Sequence, residues 1–158
     1  MKHTISIKRN ELQQLINLRN YYMGEAAKRK DPDAATIQSC TDDEELLYMF
    51  MKRACNELLT SVALRFPSIS GNVGNENIEI TFEAETECPE HLLPMLQQAI
   101  TDYLVNETIM QWLLLHSPQM AQSYISLRTS LYCNVQHLFG KIYSRKKLRR
   151  RTTDLAGI

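Results

Sequence analysis

Residues 117–142, SPQMAQSYISLRTSLYCNVQHLFGKI, decide the fold class of this chain. Ser117-Pro118 has the chemistry of a helix start, with a capping hydroxyl followed by a proline at the first helical position. Apolar side chains then recur at intervals of three and four residues, which places them on one helical face. The stripe consists of Met120, Tyr124, Leu127, Leu131, Val135, Leu138 and Ile142. It predicts a long helix with one buried face.

Two more helices are predicted in the first half of the chain. Asn10 is a candidate N-cap for a helix that reaches about Lys30. Its apolar positions are Leu12, Leu15, Ile16, Leu18, Tyr22 and Met23. Thr41 and Glu44 form a capping box, in which each side chain can bond the backbone amide of the other. The helix that follows stops before Pro67.

A further helix is predicted from near Leu93-Pro94 to about His116. Residues 109–115, IMQWLLL, are apolar nearly all round the helix. A helix of that kind needs cover on several sides. We therefore expect it to lie in the middle of the molecule.

The region between the second and third long helices predicts β structure. Residues 77–85 alternate Ile78, Ile80, Phe82 and Ala84 with polar side chains, which is typical of a strand with one wet face. Residues 68–73 are a weaker partner strand, so a hairpin near residues 68–87 is the simplest interpretation. Residues 1–8 alternate weakly and suit either a short edge strand or an extended arm.

The predicted fold is therefore mainly α, with four helices and a small β-hairpin between the second and third. The chain has 158 residues, the size of one domain. We expect a single helical domain over residues 1–144 and a basic C-terminal tail over residues 145–158. The longest apolar run, residues 112–115, is too short to span a bilayer, and residues 1–8 lack the apolar core of a secretory signal.

Motifs for catalysis or metal binding are missing from the sequence. His3, His91, His116 and His137 fall in separate elements without a ligand partner at helical spacing. The cysteines, Cys40, Cys55, Cys88 and Cys133, form no CxxC pair and suit reduced thiols. Gly71 and Gly74 belong to a turn before a strand, where a phosphate cradle would precede a helix. We expect no enzyme, no cofactor and no metal.

Charge is the strongest chemical feature of the sequence. The 18 basic and 18 acidic residues cancel, but they are unevenly distributed. Residues 141–151 hold seven cations: Lys141, Arg145, Lys146, Lys147, Arg149, Arg150 and Arg151. Twelve of the acids lie in residues 31–45 and 76–90, so we expect a molecule with charges at opposite ends.

Seven cations exceed what the dipole of a helix end accommodates, because that dipole acts over one turn. They favour an anionic partner, either nucleic acid or an acidic protein surface, over a plain solvated helix end. A membrane is a poor partner, because the run lacks an apolar face. The acids of a neighbouring copy suit equally well, and such head-to-tail contacts can close into a ring. The candidate subunit-contact acids are Asp42, Asp43, Glu79, Glu83 and Glu85.

The second half of the chain resembles the helical head–tail connector (adaptor, neck ring) proteins of tailed bacteriophages and prophages. Residues 91–115 match the pattern of that family's third helix, with Ala99-Ile100, Tyr103 and Trp112-Leu113. A helix from Ser117 with a basic end follows, as in the family. The acid-capped helix from Thr41 and the hairpin region extend the resemblance over residues 40–151. The first helix, residues 10–30, departs from the shorter members of the family.

The resemblance implies a virion structural protein without cofactor or catalytic residues, present in the host cytoplasm during assembly. It implies a homo-oligomeric ring of about twelve copies that docks on the portal protein and extends the DNA channel. Tail or stopper proteins would bind the ring, and DNA would pass through it without sequence specificity. The basic tail would contact the portal or line the channel, while Tyr103 and Trp112 would be packing residues.

Two other functions fit the residues alone. One is a small nucleic-acid-binding or regulatory protein that uses the basic C-terminal tail. The other is a helical chaperone or scaffold adaptor. A nucleic-acid binder is distinguished by an affinity that falls steeply with salt.

Overall fold

The computed structural model describes residues 1–30, 44–84 and 88–155, and for residues 144–155 the backbone only. The mainly α fold with a small sheet is confirmed. The elements in chain order are β1 (Lys2–Lys8), α1 (Arg9–Lys30), α2 (Glu44–Ala63), β2 (Ser70–Val73), β3 (Asn77–Glu83), α3 (Leu92–His116) and α4 (Pro118–Leu155).

The sheet has three antiparallel strands in the order β1-β3-β2. The predicted hairpin supplies β2 and β3, and residues 2–8 form an edge strand beside β3. Ile5 pairs with Ile80 and Ile7 with Ile78. Because side chains alternate along a strand, these four isoleucines share one face of the sheet, and all four are buried. The free extended arm that the sequence also allowed is excluded.

The predicted central position of α3 is confirmed. The helix contacts α4, α2, α1 and β1, and it buries an unbroken run from Tyr103 to Met110. α4 folds back antiparallel on α3 after a short turn, in which the Ser117 amide donates to the Leu113 carbonyl. The aromatic rings of Phe82 and Phe139 meet edge to face at 5.4 Å, which joins the sheet to α4. The core therefore lies between the sheet and α2, α3 and α4.

Only some of the apolar positions of α1 are buried. The helix begins at Arg9, and its buried residues are Leu12, Ile16, Asn20 and Gly24. Leu15, Leu18 and Tyr22, which belong to the same list of apolar positions, are exposed. The reason is that α1 packs on α3 and β1 through a narrow face at four-residue spacing. Such a face has no room for the second apolar stripe.

The stripe of α4 also needs one correction. Val135, Leu138 and Ile142 are buried as predicted, whereas Leu127 is 52% exposed. Phe139 and Ala121 are buried beside the predicted positions. The predicted capping box of Thr41 and Glu44 stays a prediction, because Thr41 lies outside the described residues. The described part of α2 begins at Glu44.

Candidate functional site

The basic segment continues a helix and starts at the edge of the core. Ile142 is buried, while the preceding residue, Lys141, is exposed. The Tyr143 ring stacks on Phe66 at 4.7 Å between ring centroids, and its hydroxyl hydrogen-bonds the Ser68 hydroxyl. These contacts hold the end of the packed part of α4 against the turn between α2 and β2.

The helical backbone of α4 runs on to Leu155, past the last described core contact. The cations at Arg145, Lys146, Lys147, Arg149, Arg150 and Arg151 belong to this part. Their side-chain positions lie outside what the structure describes. At 1.5 Å of rise per residue, Arg151 lies about 12 Å beyond Tyr143 along the helix axis. We call residues 144–155 the basic extension.

Two of the candidate acids lie on the open face of the sheet. Glu79 and Glu83 are exposed on β3, the central strand, with Ser6 and Lys2 opposite them on β1. The sequence prediction of a wet strand face is confirmed for these two residues. The other three acids, Asp42, Asp43 and Glu85, lie outside the described residues.

The expected separation of acid and base to opposite ends is wrong for β3. The Ser68 hydroxyl hydrogen-bonds both Tyr143 and the backbone carbonyl of Glu83. The root of the basic extension therefore lies beside the end of the acidic strand. Sequence reasoning missed this because residues 83 and 143 come together only through the packing of α4 on the sheet.

The histidines do not assemble into a site. His3 stacks on Phe82 at 5.6 Å, and His116 stacks on Trp112 at 4.4 Å with Nδ1 2.9 Å from the Trp112 carbonyl oxygen. His91 and His137 are exposed in other elements. Within residues 1–30, 44–84 and 88–155, no group of three His, Cys, Asp or Glu side chains is arranged to hold a metal ion.

A buried carboxylate is the feature that the sequence analysis did not identify. Glu107 on α3 is 1% exposed, and its Oε2 lies 2.9 Å from Nε of Arg128 on α4. Arg128 also reaches Glu57 on α2 at 3.5 Å, and Glu57 pairs with Arg53 at 2.9 Å. Gln111 donates to the other carboxylate oxygen of Glu107. This network links α2, α3 and α4 at a groove open to solvent.

In this network the buried charge is the Glu107 carboxylate, and Arg128 compensates it in part. Burial raises the pKa of the Glu107 carboxyl above its ordinary value, and the positive charge of Arg128 opposes that rise. Burial likewise raises the pKa of the neighbouring Tyr103 hydroxyl. Both carboxylates already face an arginine, so the arrangement suits a structural tie between helices. The sequence signal was a lone Glu inside the helix predicted to be covered on several sides.

Comparisons with protein-family models, curated proteins and solved structures found no match to this chain. None of the helices in the described part of the chain is both long and apolar enough to cross a membrane.

Proposed function

We propose that this protein is a structural subunit of a phage neck, a head–tail connector that forms a homo-oligomeric ring and docks on the portal protein. The resemblance of residues 40–151 to such proteins motivates the proposal. In this role the ring extends the DNA channel and offers a platform to tail or stopper proteins. The chain needs no catalytic residue or cofactor for it.

The observation that carries the proposal is the continuation of α4 beyond the core. The packed part ends at Ile142 and Tyr143, and the helix then carries six of the seven cations of the basic segment. Like charges on one short helical segment repel each other, so the free form is unfavourable until an anionic partner approaches. A cationic helix anchored to a packed domain suits docking into an assembly.

One candidate acid of the same subunit lies near the start of the basic extension. Glu83 lies at the root of the extension, through the shared contact with Ser68. The backbone of the arginines at 149–151 lies roughly 9–12 Å farther along the helix axis than Tyr143. We propose that acids of a neighbouring copy, with Glu79 and Glu83 among them, or of the portal protein face these arginines.

The test is the mass of the full-length assembly, measured by native mass spectrometry with and without the portal protein encoded in the same genome. We expect a large oligomer, or one that forms when the portal is added. The triple variant R149E/R150E/R151E should lose the ring. K52E, which reverses one exposed cation on α2, is the control and should still assemble.

A compensating variant sharpens this test. If acids of β3 face the extension of the next copy, E79K/E83K should restore assembly to the triple variant. If the E79K/E83K changes do not restore assembly and the unchanged protein assembles when the portal protein is added, the acidic partner lies on the portal protein. A protein that stays monomeric under every condition, with the portal present, would contradict the proposed function.

Nucleic-acid binding is the second candidate, favoured by the same seven cations on a helical backbone. It predicts that the protein retains a labelled DNA duplex with an affinity that falls steeply as salt rises. A chain truncated after Ser144 should remain folded, because the core contacts end at Tyr143, and it should lose this retention. Assembly in the absence of DNA would favour the ring, whereas DNA retention by a monomer would favour the binding protein.

A further inference from the structure

α1 carries a second apolar stripe on its outer side. Leu15, Leu18 and Tyr22 are 38%, 50% and 64% exposed. Their spacing of three and four residues places them on one helical face. They are separate from the set that packs on the rest of the molecule, which is Leu12, Ile16, Asn20 and Gly24. The helix therefore offers one apolar face to its own core and a narrower one to solvent.

Charged residues continue the exposed stripe at both ends with the same spacing. The full series is Glu11, Leu15, Leu18, Tyr22, Glu25 and Arg29, with steps of four, three, four, three and four. This is the alternation of the two seam positions of a coiled coil. Glu11 and Arg29, at the two ends, are exposed and opposite in charge, and the Glu11 carboxylate also pairs with Lys8 of its own chain at 3.0 Å. The series therefore has a negative residue at one end and a positive residue at the other, and a partner helix can complement both.

The series is complementary to itself when two copies run antiparallel. With the two-fold axis at position 20, Leu18 faces the partner's Tyr22, and Glu11 faces the partner's Arg29. By the same symmetry each of these contacts occurs twice. Leu15 faces the partner's Glu25, whose carboxylate already pairs with Lys28 in its own helix at 3.7 Å. A parallel arrangement would instead place like charges together, Glu11 against Glu11 and Arg29 against Arg29.

We propose that α1 packs antiparallel against α1 of a second copy through Leu15, Leu18 and Tyr22, with Glu11 and Arg29 fixing the register. The contact is isologous, so it stops at two copies. It is independent of the head-to-tail contacts proposed for the basic extension. If the subunits form rings, the α1 contact joins a subunit of one ring to a subunit of a second ring. If they do not, the α1 contact gives a dimer. Since the stripe is short, the dimer is weak and depends on protein concentration.

Sedimentation equilibrium of the full-length protein over a concentration series tests the apolar centre. We expect L18E to weaken the two-fold association at least tenfold, because the substitution places a charge at the centre of the pair. L114E changes a leucine of similar exposure on α3 and should leave the association unchanged. Equal behaviour of L18E and L114E would overturn the proposal. Circular dichroism of each variant verifies that the fold is kept.

Charge exchange tests the register. E11R and R29E should each weaken the association several-fold, since each brings like charges together twice. The double variant E11R/R29E should return it to the level of the unchanged protein. Failure of the double variant to recover would overturn the antiparallel register.

The two proposals fail separately. In the R149E/R150E/R151E background the ring contact is removed while α1 is unchanged. A dimer that persists there and is lost on adding L18E supports the α1 contact whatever the fate of the ring. A dimer that is lost in that background while the protein stays folded shows that α1 does not hold two copies by itself, and this outcome overturns the α1 proposal.

Discussion

α3 and α1 are helices of similar length that pack against each other, yet they are used in opposite ways. α3 has 25 residues and buries 14 of them, whereas α1 has 22 and buries four. α3 even buries the carboxylate of Glu107, while α1 leaves leucines and tyrosines in solvent. The difference teaches that apolar content alone does not assign a helix to the core. A helix belongs to the core when other elements pack on several of its sides, as they do on α3.

Matched leucine truncations should show the largest difference between the two helices. Leu104 on α3 is fully buried, and L104A should cost about 2–5 kcal/mol of unfolding free energy through lost burial and a cavity. L18A on α1 removes the same atoms from an exposed site and should cost no more than about 0.5 kcal/mol. Urea denaturation of both variants checks the comparison. Similar losses would mean that the outer face of α1 is covered in solution.

Removal of Arg128 should have the next largest effect. R128M leaves the buried Glu107 carboxylate without its arginine, and we expect a loss of about 1–3 kcal/mol. R53M removes the exposed partner of Glu57 and should change stability by at most about 0.5 kcal/mol. Urea denaturation at neutral pH measures both. The double variant R128M/E107Q should recover part of the loss, and a lack of recovery would contradict the assigned pairing.

The pH dependence of stability should depend on Glu107. Because its pKa is raised in the folded state, the folded protein holds this proton more tightly than the unfolded chain does. The contribution to stability is therefore present at low pH and is lost as pH rises from the ordinary value of 4.5 through the higher folded value.

E107Q removes this loss, since its side chain cannot ionise. We expect the difference in unfolding free energy between E107Q and the unchanged protein to grow in favour of E107Q as pH rises above about 4.5. Thermal denaturation from pH 4 to pH 8 measures it. A difference that shrinks or reverses with rising pH would mean that attraction by Arg128 outweighs burial.

The smallest expected effect is a gain in unfolding free energy from a substitution at Gly140. Gly140 lies inside α4, and a methyl group added there meets no other atom within 4 Å. G140A should stabilise the protein by about 0.5–1 kcal/mol, because alanine loses less backbone entropy than glycine in a helix. Thermal denaturation checks this. A loss of stability would indicate that this face of α4 touches part of the chain that the structure does not describe.

Much of the fold was predictable from local signals. The four helices and the strand of Ile78, Ile80 and Phe82 follow from their periods, and the structure has them close to the predicted bounds except at the end of α4. That helix runs to Leu155 instead of ending near Ile142. The choice between an edge strand and an arm for residues 2–8 was not predictable, since it depends on pairing between Ile5 and Ile80. The candidate acids Glu79 and Glu83 were correctly placed on a wet face, because alternation along a strand is local.

The features that could not be predicted from the sequence depend on contacts between residues far apart in the chain. The sequence pattern did not separate Leu15, Leu18 and Tyr22 from the buried positions of α1, because a helical period marks every apolar stripe, and α1 has two. The neighbourhood of Tyr143 and Glu83 was likewise hidden, since it arises only when α4 lies against the sheet.

The helical class, the order of the elements and the concentration of seven cations in residues 141–151 are all properties of the sequence. These follow from period, capping and composition, which act between residues near each other in the chain. Three further features depend on how the elements pack: which stripe of α1 is buried, the pairing of Glu107 with Arg128, and the start of the basic extension beside β3. The physical reason is that burial and ion pairing depend on which surfaces meet, and a linear pattern does not specify that.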